Sequence, residues 1–259
     1  MAAERPAEPA PRISVWLDDR PAPRRYSRTG AEQPGLDRAA ITAATVALLD
    51  AEGTAKFSMR RLAGELGVTA MSLYWYVNSK EELMELAVDA VQADLTLPDL
   101  AGADWRESLR LLAGAYRRML VDHPWVARTV GQYLNIGPEA MRFAGAAQSV
   151  LGSAGLRPEQ LPGALAAVFQ FVNGFASVEA NWNARLADTG MQPDEFYAMV
   201  LARVDGMPQY ADSLELRDEA DRGVSVRQMR QNDFDTALEL LIAGVGALRE
   251  GTHDPPAPR

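Results

Sequence analysis

From Leu36 onward, apolar residues recur three and four positions apart, the spacing that lines one face of an α-helix. Ile41, Thr45, Leu48 and Leu49 form the first stripe, and Gly53 is placed to stop it. Ser58 precedes "MRRLAGEL" as an N-cap and predicts a short helix ending at Gly67. A third helix is predicted from about Thr69 to Val77. A fourth follows in "NSKEELMELAVDAVQADL", capped by Ser79, with Glu81 and Glu82 in the first turn where the helix dipole favours acids. Further helices are expected at about 104–121, 138–154, 158–187, 193–204 and 232–249. Strand-type alternation is almost absent, so the predicted fold class is all-α.

The same pattern divides the chain. Residues 1–35, rich in Pro, Arg, Ala and Glu, read as a disordered basic arm, with "ISVWL" at 13–17 as an apolar island able to dock. A compact helical unit is expected over 36–96, a larger helical remainder over 97–251 and a short tail over 252–259. The break falls near "TLPDLAGA" at 96–103. Residues 205–231 are charged with weak periodicity and read as a long surface loop.

Composition removes several possibilities. The 259 residues contain no cysteine, which excludes disulfides, thiolate nucleophiles and zinc–thiolate sites and suits a cytoplasmic protein. The N-terminus lacks the apolar core of a secretory signal. Residues 160–178 carry no charge, but Pro162, Gln170, Asn173 and two glycines interrupt them, and the reading is a helix buried on most sides rather than a membrane span. Net charge is −9, yet residues 56–80 carry Lys56, Arg60, Arg61 and Lys80 against Glu65 alone. A local basic face on an acidic chain can still hold phosphate, because salt screens distant charges.

That basic stretch contains "LYWYV". Neighbouring helical side chains point about 100° apart, so Tyr74, Trp75 and Tyr76 cannot all face one core. A short helix, Gly67 and a second short helix make a helix-turn-helix pattern. Leu62, Ala63, Leu66, Ala70, Leu73 and Val77 are expected to form its inner side. Thr69, Ser72 and Tyr76 are left outside, flanked by Met71 and Trp75. The chemistry suits duplex DNA: Arg60 to reach a base edge, Arg61, Tyr74 and Lys80 for phosphate, and rings to lie on the sugar-phosphate backbone. Arg20, Arg24, Arg25 and Arg28 are placed to reach an adjacent minor groove.

The stretch "AAITAATVALLDAEGTAKFSMRRLAGELGVTAMSLYWYVNSKEELMELAVDAV" closely resembles the DNA-binding domain of the tetracycline-repressor (TetR) family over about residues 36–96. The resemblance implies a three-helix DNA-binding domain in which Arg60, Ala70, Met71 and Ser72 meet bases. Ser58, Tyr74, Trp75, Tyr76 and Lys80 would meet phosphates or lie alongside. Tyr76 stands where the family's namesake has histidine, and Ala70 and Met71 where it has Gln and Pro, which bears on the operator sequence. "HPWVARTVG" and "GPEAMRFAGAAQSVLGSAGL" resemble the family's C-terminal domain less specifically. Double-stranded operator DNA, a homodimer with two interface helices per subunit (about 158–187 and 232–249) and a small hydrophobic effector are implied.

Candidate effector contacts are Trp125, Tyr133, Phe169, Gln170, Asn173, Trp182 and Met199, an apolar set with a few polar anchors. Two histidines, His123 and His253, give no metal-ligand spacing, and no cofactor is expected. Neither a Gly-rich phosphate loop nor a His-based triad supports an enzyme. The alternative left open is a DNA-binding regulator controlled by a protein partner.

Overall fold

A computed structural model describes residues 14–17, 36–99, 103–129, 131–215 and 223–250. Among these residues the regular structure is helical, without a strand. The helices are α1 (Arg38–Glu52), α2 (Met59–Glu65), α3 (Ala70–Leu73), α4 (Lys80–Ala90), α5 (Trp105–Asp122), α6 (Pro124–Thr129), α7 (Pro138–Ser153), α8 (Leu161–Thr189), α9 (Pro193–Val204) and α10 (Val226–Glu250). They gather into two compact units. One contains the residues up to Leu95 together with Asp122–Gly145, the other Thr96–Val121 and the chain from Ala146. The arginines at 20–28 and the tail at 252–259 lie outside the described residues.

In the first unit, α1 starts where Asp37 accepts the Ala40 N–H at 2.7 Å and stops at Gly53, whose φ of 74° reverses the chain. Two buried threonines on α1 donate their hydroxyls to carbonyls four residues back (Thr42 to Arg38, Thr45 to Ile41, each 2.8 Å), so neither leaves an unpaired polar group. Ile41, Leu48 and Leu49 meet the apolar side of α4, Leu83, Met84 and Ala87, in the core. Asp50 at the end of α1 accepts from the buried Trp125 indole at 2.7 Å and lies 2.8 Å from His123 Nδ1, which fastens α6 to α1.

Helix α4 has a second, polar inner face. Glu82, Glu85, Asp89 and Gln92 follow at intervals of three and four, and all four are buried. A buried charge is costly unless it is bonded. Glu82 pairs with Arg38 and accepts the Asn78 backbone and side-chain N–H groups at 2.9 and 2.8 Å. Glu85 accepts the Ser14 hydroxyl at 2.7 Å and the Val15 N–H at 2.8 Å, which seats the apolar island of the N-terminal arm on α4. Asp89 accepts the Glu139 and Ala140 N–H groups at 3.1 and 2.9 Å, capping α7. A Cβ on Gly137 would fall 2.2 Å from Asp89 Oδ1 and 2.7 Å from the Trp16 ring, so only glycine fits this approach.

The second unit is built on long amphipathic helices. α5 buries Leu109, Leu112, Tyr116 and Leu120, and α10 buries Phe234, Leu238, Ile242 and Val245 on one stripe. Arg117 is buried among them. Its guanidinium donates to Glu179 at 2.8 and 3.2 Å and to Gln231 at 2.9 Å, and lies 4.6 Å over the Phe234 ring. α8 is long and apolar enough to cross a membrane by length and composition alone. Instead of burial on most sides, it buries the ridge Ala164, Val168, Val172, Ala176 and Ala180, and Leu186 beyond it, because neighbours within the chain cover one side of it. Leu240, Leu248 and Val178 stand exposed on α10 and α8.

Four differences from the sequence reading have local causes. Thr69 caps α3 rather than opening it, and the helix proper ends at Leu73, where its last turn tightens into three-residue bonds, Trp75 to Ser72 and Tyr76 to Leu73. α6 forms over Pro124–Thr129, between the expected helices, with Pro124 at a first helical position that needs no donor. α10 starts six residues early because Ser225 accepts the Gln228 N–H at 3.2 Å and Asp194 accepts that of Val226 at 2.6 Å. The expected loop at 205–231 therefore gives way to α10 from Val226, and Pro208–Tyr210 forms a 3₁₀ turn.

Burial holds the Asp89 carboxyl above the usual carboxylate range, against the Ala140 and Glu139 amides that lower it. A pKa raised on folding adds stability below the unfolded pKa, and that stability is lost as pH rises through the folded pKa. Asp89→Asn keeps an acceptor without titrating and is expected to flatten that decline. Asp89→Ala leaves two amides without a partner and is expected to cost about 1–3 kcal/mol. Thermal unfolding of both variants between about pH 4 and pH 7 checks the pair.

Candidate nucleic-acid interface

The corner between α2 and α3 follows from backbone chemistry. Ser58 accepts the Arg61 N–H at 3.2 Å and starts α2. At its end Val68 N–H returns to the Ala63 carbonyl at 2.9 Å and Gly67 N–H to Gly64 at 3.3 Å, the bond pair of a Schellman motif. Gly67 takes the left-handed conformation this requires, at φ 66°. Thr69 then caps α3, accepting the Ser72 N–H at 3.2 Å, with its hydroxyl 2.9 Å from that of Ser72. Leu62, Leu73 and Val77 are fully buried beneath the corner, while Leu66 and Ala70 are half-buried.

With that inner side closed, the rest of α3 faces out. Met71 is 68% exposed, Trp75 52% and Tyr74 43%, fractions that rule out a core role for the three. Thr69 is exposed, whereas Ser72 and Tyr76 are half-buried. Thr69, Met71 and Trp75 thus lie outside as expected, Tyr74 joins them, and Ser72 and Tyr76 sit further in than expected. The tightened last turn draws Tyr76 towards the core beside Val77.

The cations near this row differ in their freedom. Arg60 is exposed on α2 and makes no ion pair among the described residues. Arg61 is held by Glu52 at 2.6 and 3.0 Å and by Glu65 at 2.9 Å. Lys80 is half-buried, donates to the Phe57 carbonyl at 3.1 Å and lies 5.4 Å over the Phe57 ring. Ser58 is exposed, and its cap bond uses only an oxygen lone pair, leaving its hydroxyl proton to donate.

The seven candidate effector contacts fall into two groups. Trp125 and Tyr133 belong to the first unit. Trp125 is committed to Asp50, and burial, then Glu81 and Glu85, raise the Tyr133 phenol above its ordinary pKa. Phe169, Gln170, Asn173, Trp182 and Met199 belong to the second unit. There Phe169 meets the Tyr116 ring edge-on at 5.6 Å, and Asn173 donates to the Phe169 carbonyl at 2.8 Å. Burial raises the Tyr116 phenol's pKa, and a hydrogen bond with the Asn173 side chain opposes the rise. Trp182 packs on Phe196 at 5.9 Å, and Gln170 and Met199 are exposed.

Tyr116, Arg117 and Glu179 were not singled out from the sequence. Arg117 on the apolar stripe of α5, and Glu179 just past the uncharged run, were the signals available. Among the described residues no group of three or more His, Asp or Glu side chains is gathered to hold a metal ion.

Comparison with known proteins now adds to this geometry. The description "Bacterial regulatory proteins, tetR family" matches residues 41–87, and "Tetracyclin repressor-like, C-terminal domain" matches residues 97–249. The chain belongs to the TetR family. An HTH-type transcriptional regulator of Saccharopolyspora erythraea is 33% identical over 234 residues, 90% of this chain and 92% of its own length. The HTH-type transcriptional repressor DrrR1 of Streptomyces coeruleorubidus is 34% identical over 67% of this chain and 64% of its own. Among solved structures, the Streptomyces coelicolor TetR family protein ActR in complex with actinorhodin aligns with a TM-score of 0.66 and 27% identity, covering 83% of this chain and 99% of that one. As a TetR-family member, the chain is a DNA-binding transcriptional regulator and not an enzyme.

Gly67→Ala is expected to leave side-chain packing untouched, since nothing lies within 4 Å of the added Cβ. The left-handed backbone alone costs an L-residue roughly 1–2 kcal/mol. Chemical denaturation of the purified variant, read at constant m-value, measures that loss.

Proposed function

We propose that this TetR-family protein is a ligand-responsive repressor that binds a palindromic operator as a homodimer and is released by a small hydrophobic effector. The observation that carries the reading is the outward row Met71, Tyr74 and Trp75, set beside Arg60, which makes no ion pair among the described residues. Three large side chains left to solvent on α3 and the turn that follows it are unfavourable unless a surface covers them. A DNA groove supplies sugar and methyl surface for the rings and phosphate for the hydroxyls.

The roles divide accordingly. Arg60 reaches a base edge, with Thr69, Ala70, Met71 and Ser72 at the groove floor. Ser58, Tyr74, Trp75 and Tyr76 line the backbone. Lys80 first has to leave the Phe57 carbonyl to reach a phosphate, and Arg61 has to leave two acids, so both contribute less than their charge suggests.

Dimerisation is assigned to α8 and α10, whose outer faces carry Val178, Leu240 and Leu248. An apolar outer face on helices that also bury an inner stripe suits a helix-bundle interface between copies better than lipid. The effector is assigned to the second unit beside Phe169, Tyr116 and Asn173, where apolar rings surround one amide. A relative named as a repressor supports the repressor reading, and a structural neighbour solved with actinorhodin supports a small-molecule effector. A cytoplasmic location follows from the work of binding operator DNA.

Selection of bound fragments from a random DNA pool is expected to return two inverted half-sites about one helical turn apart. A single half-site contradicts the dimer reading. On the selected DNA, Arg60→Ala is expected to cost about 1–3 kcal/mol and to relax preference at one base pair. Arg61→Ala should cost clearly less, and equal losses would remove the distinction between the two arginines.

A further inference from the structure

Asn173 stands one helical turn after Phe169 on α8, and both side chains are half-buried beside the stripe that this helix buries. The Asn173 amide nitrogen donates to the Phe169 carbonyl at 2.8 Å. A hydrogen bond also joins the Asn173 side chain to the Tyr116 phenol on α5. Its remaining polar atom, Oδ1, is buried, and no donor among the described residues reaches it. The bond to Tyr116 therefore runs through the nitrogen as well. Turning the amide end for end gives no relief. Oδ1 would then face the Phe169 carbonyl oxygen, acceptor against acceptor, and a good bond would be lost.

A buried acceptor without a donor is costly, and a native fold keeps one where something outside the chain supplies the proton. The surroundings say what kind of molecule fits. Tyr116 and Phe169, edge-on at 5.6 Å, offer ring surface. Burial and the Asn173 bond act on the Tyr116 phenol, and no charged side chain among the described residues joins them, whereas Glu81 and Glu85 act on Tyr133. Arg117 and Glu179, the buried charges of the same unit, are bonded to each other. We infer that Asn173 is a specificity-determining residue of the effector site, whose Oδ1 selects an uncharged, ring-bearing effector with a hydroxyl or N–H donor. An ether at that place sets lone pair against lone pair, and a carboxylate adds a charge that the amide oxygen repels. This rests on the assignment of the effector to the second unit beside Phe169.

Calorimetric titration of the full-length protein with three probes of one shape tests the inference: β-naphthol, its methyl ether and β-naphthoate. Wild type is expected to bind the naphthol about tenfold more tightly than the ether, the worth of one hydrogen bond to a buried acceptor, and naphthoate most weakly. Asn173→Leu fills the place of the amide with an apolar side chain and Asn173→Ala leaves it open, so the pair separates loss of the acceptor from loss of room. Both variants are expected to bring the naphthol and its ether within about threefold of each other. Equal binding of naphthol and ether by wild type overturns the inference, and is the result where a water molecule meets Oδ1. So does the wild-type preference retained in either variant, which places the selecting group elsewhere. Failure of all three probes to bind wild type instead overturns the effector assignment beside Phe169 itself.

Discussion

One backbone constraint organises the DNA-binding end of this protein: at Gly67 the chain must enter the left-handed region for α2 to end and α3 to begin without an uncapped carbonyl. Once that corner is made, Leu62, Leu73 and Val77 have one place to go, and they fill it completely. Everything on the far side of α3 is then exposed by geometry rather than by choice. The aromatic triplet resolves in these terms. Tyr76 is drawn half inward by the tightened turn, and Tyr74 and Trp75 are left outside with Met71.

The second organising feature is the polar inner face of α4. Three buried acids on α4 and Gln92 in the turn after it are a liability, and each is bonded to a different segment: Arg38 of α1, the Ser14–Val15 backbone and hydroxyl, the start of α7, and Asn135, which accepts the Gln92 amide N–H at 2.8 Å. Apolar packing is tolerant of small slides, whereas these bonds have direction and lose most of their value when misaligned. The face therefore specifies where its neighbours sit, not only that they stay. Such specificity suits a protein whose function depends on holding a reading surface in a defined place.

Much of this was legible in the sequence. Helical spacing found α1, α2, α4, α5, α7, α8 and α9 close to their limits, and the caps at Ser58 and Ser79 and the stops at Gly53 and Gly67 followed from short polar side chains and glycines at the expected offsets. The inner side of the corner was legible because Leu62, Leu73 and Val77 have no polar alternative. Less was readable where long-range bonds decide. Glu85 and Asp89 look like ordinary surface acids on an amphipathic helix until Ser14 and Ala140 arrive from 71 and 51 residues away. Arg61 and Lys80 look like free cations until Glu52 and the Phe57 carbonyl are placed beside them. A basic run shows charge, not its commitments, and the same limit applies to Trp125, whose apolar character hid its bond to Asp50.

Amide hydrogen exchange with and without operator DNA tests the central claim most directly. The corner model predicts slowed exchange concentrated between Ser58 and Lys80, strongest at the exposed turns of α3, with the buried faces of α5 and α10 little changed. Slowing absent from that stretch, or confined to the second unit, would contradict a DNA-reading surface built on the Gly67 corner.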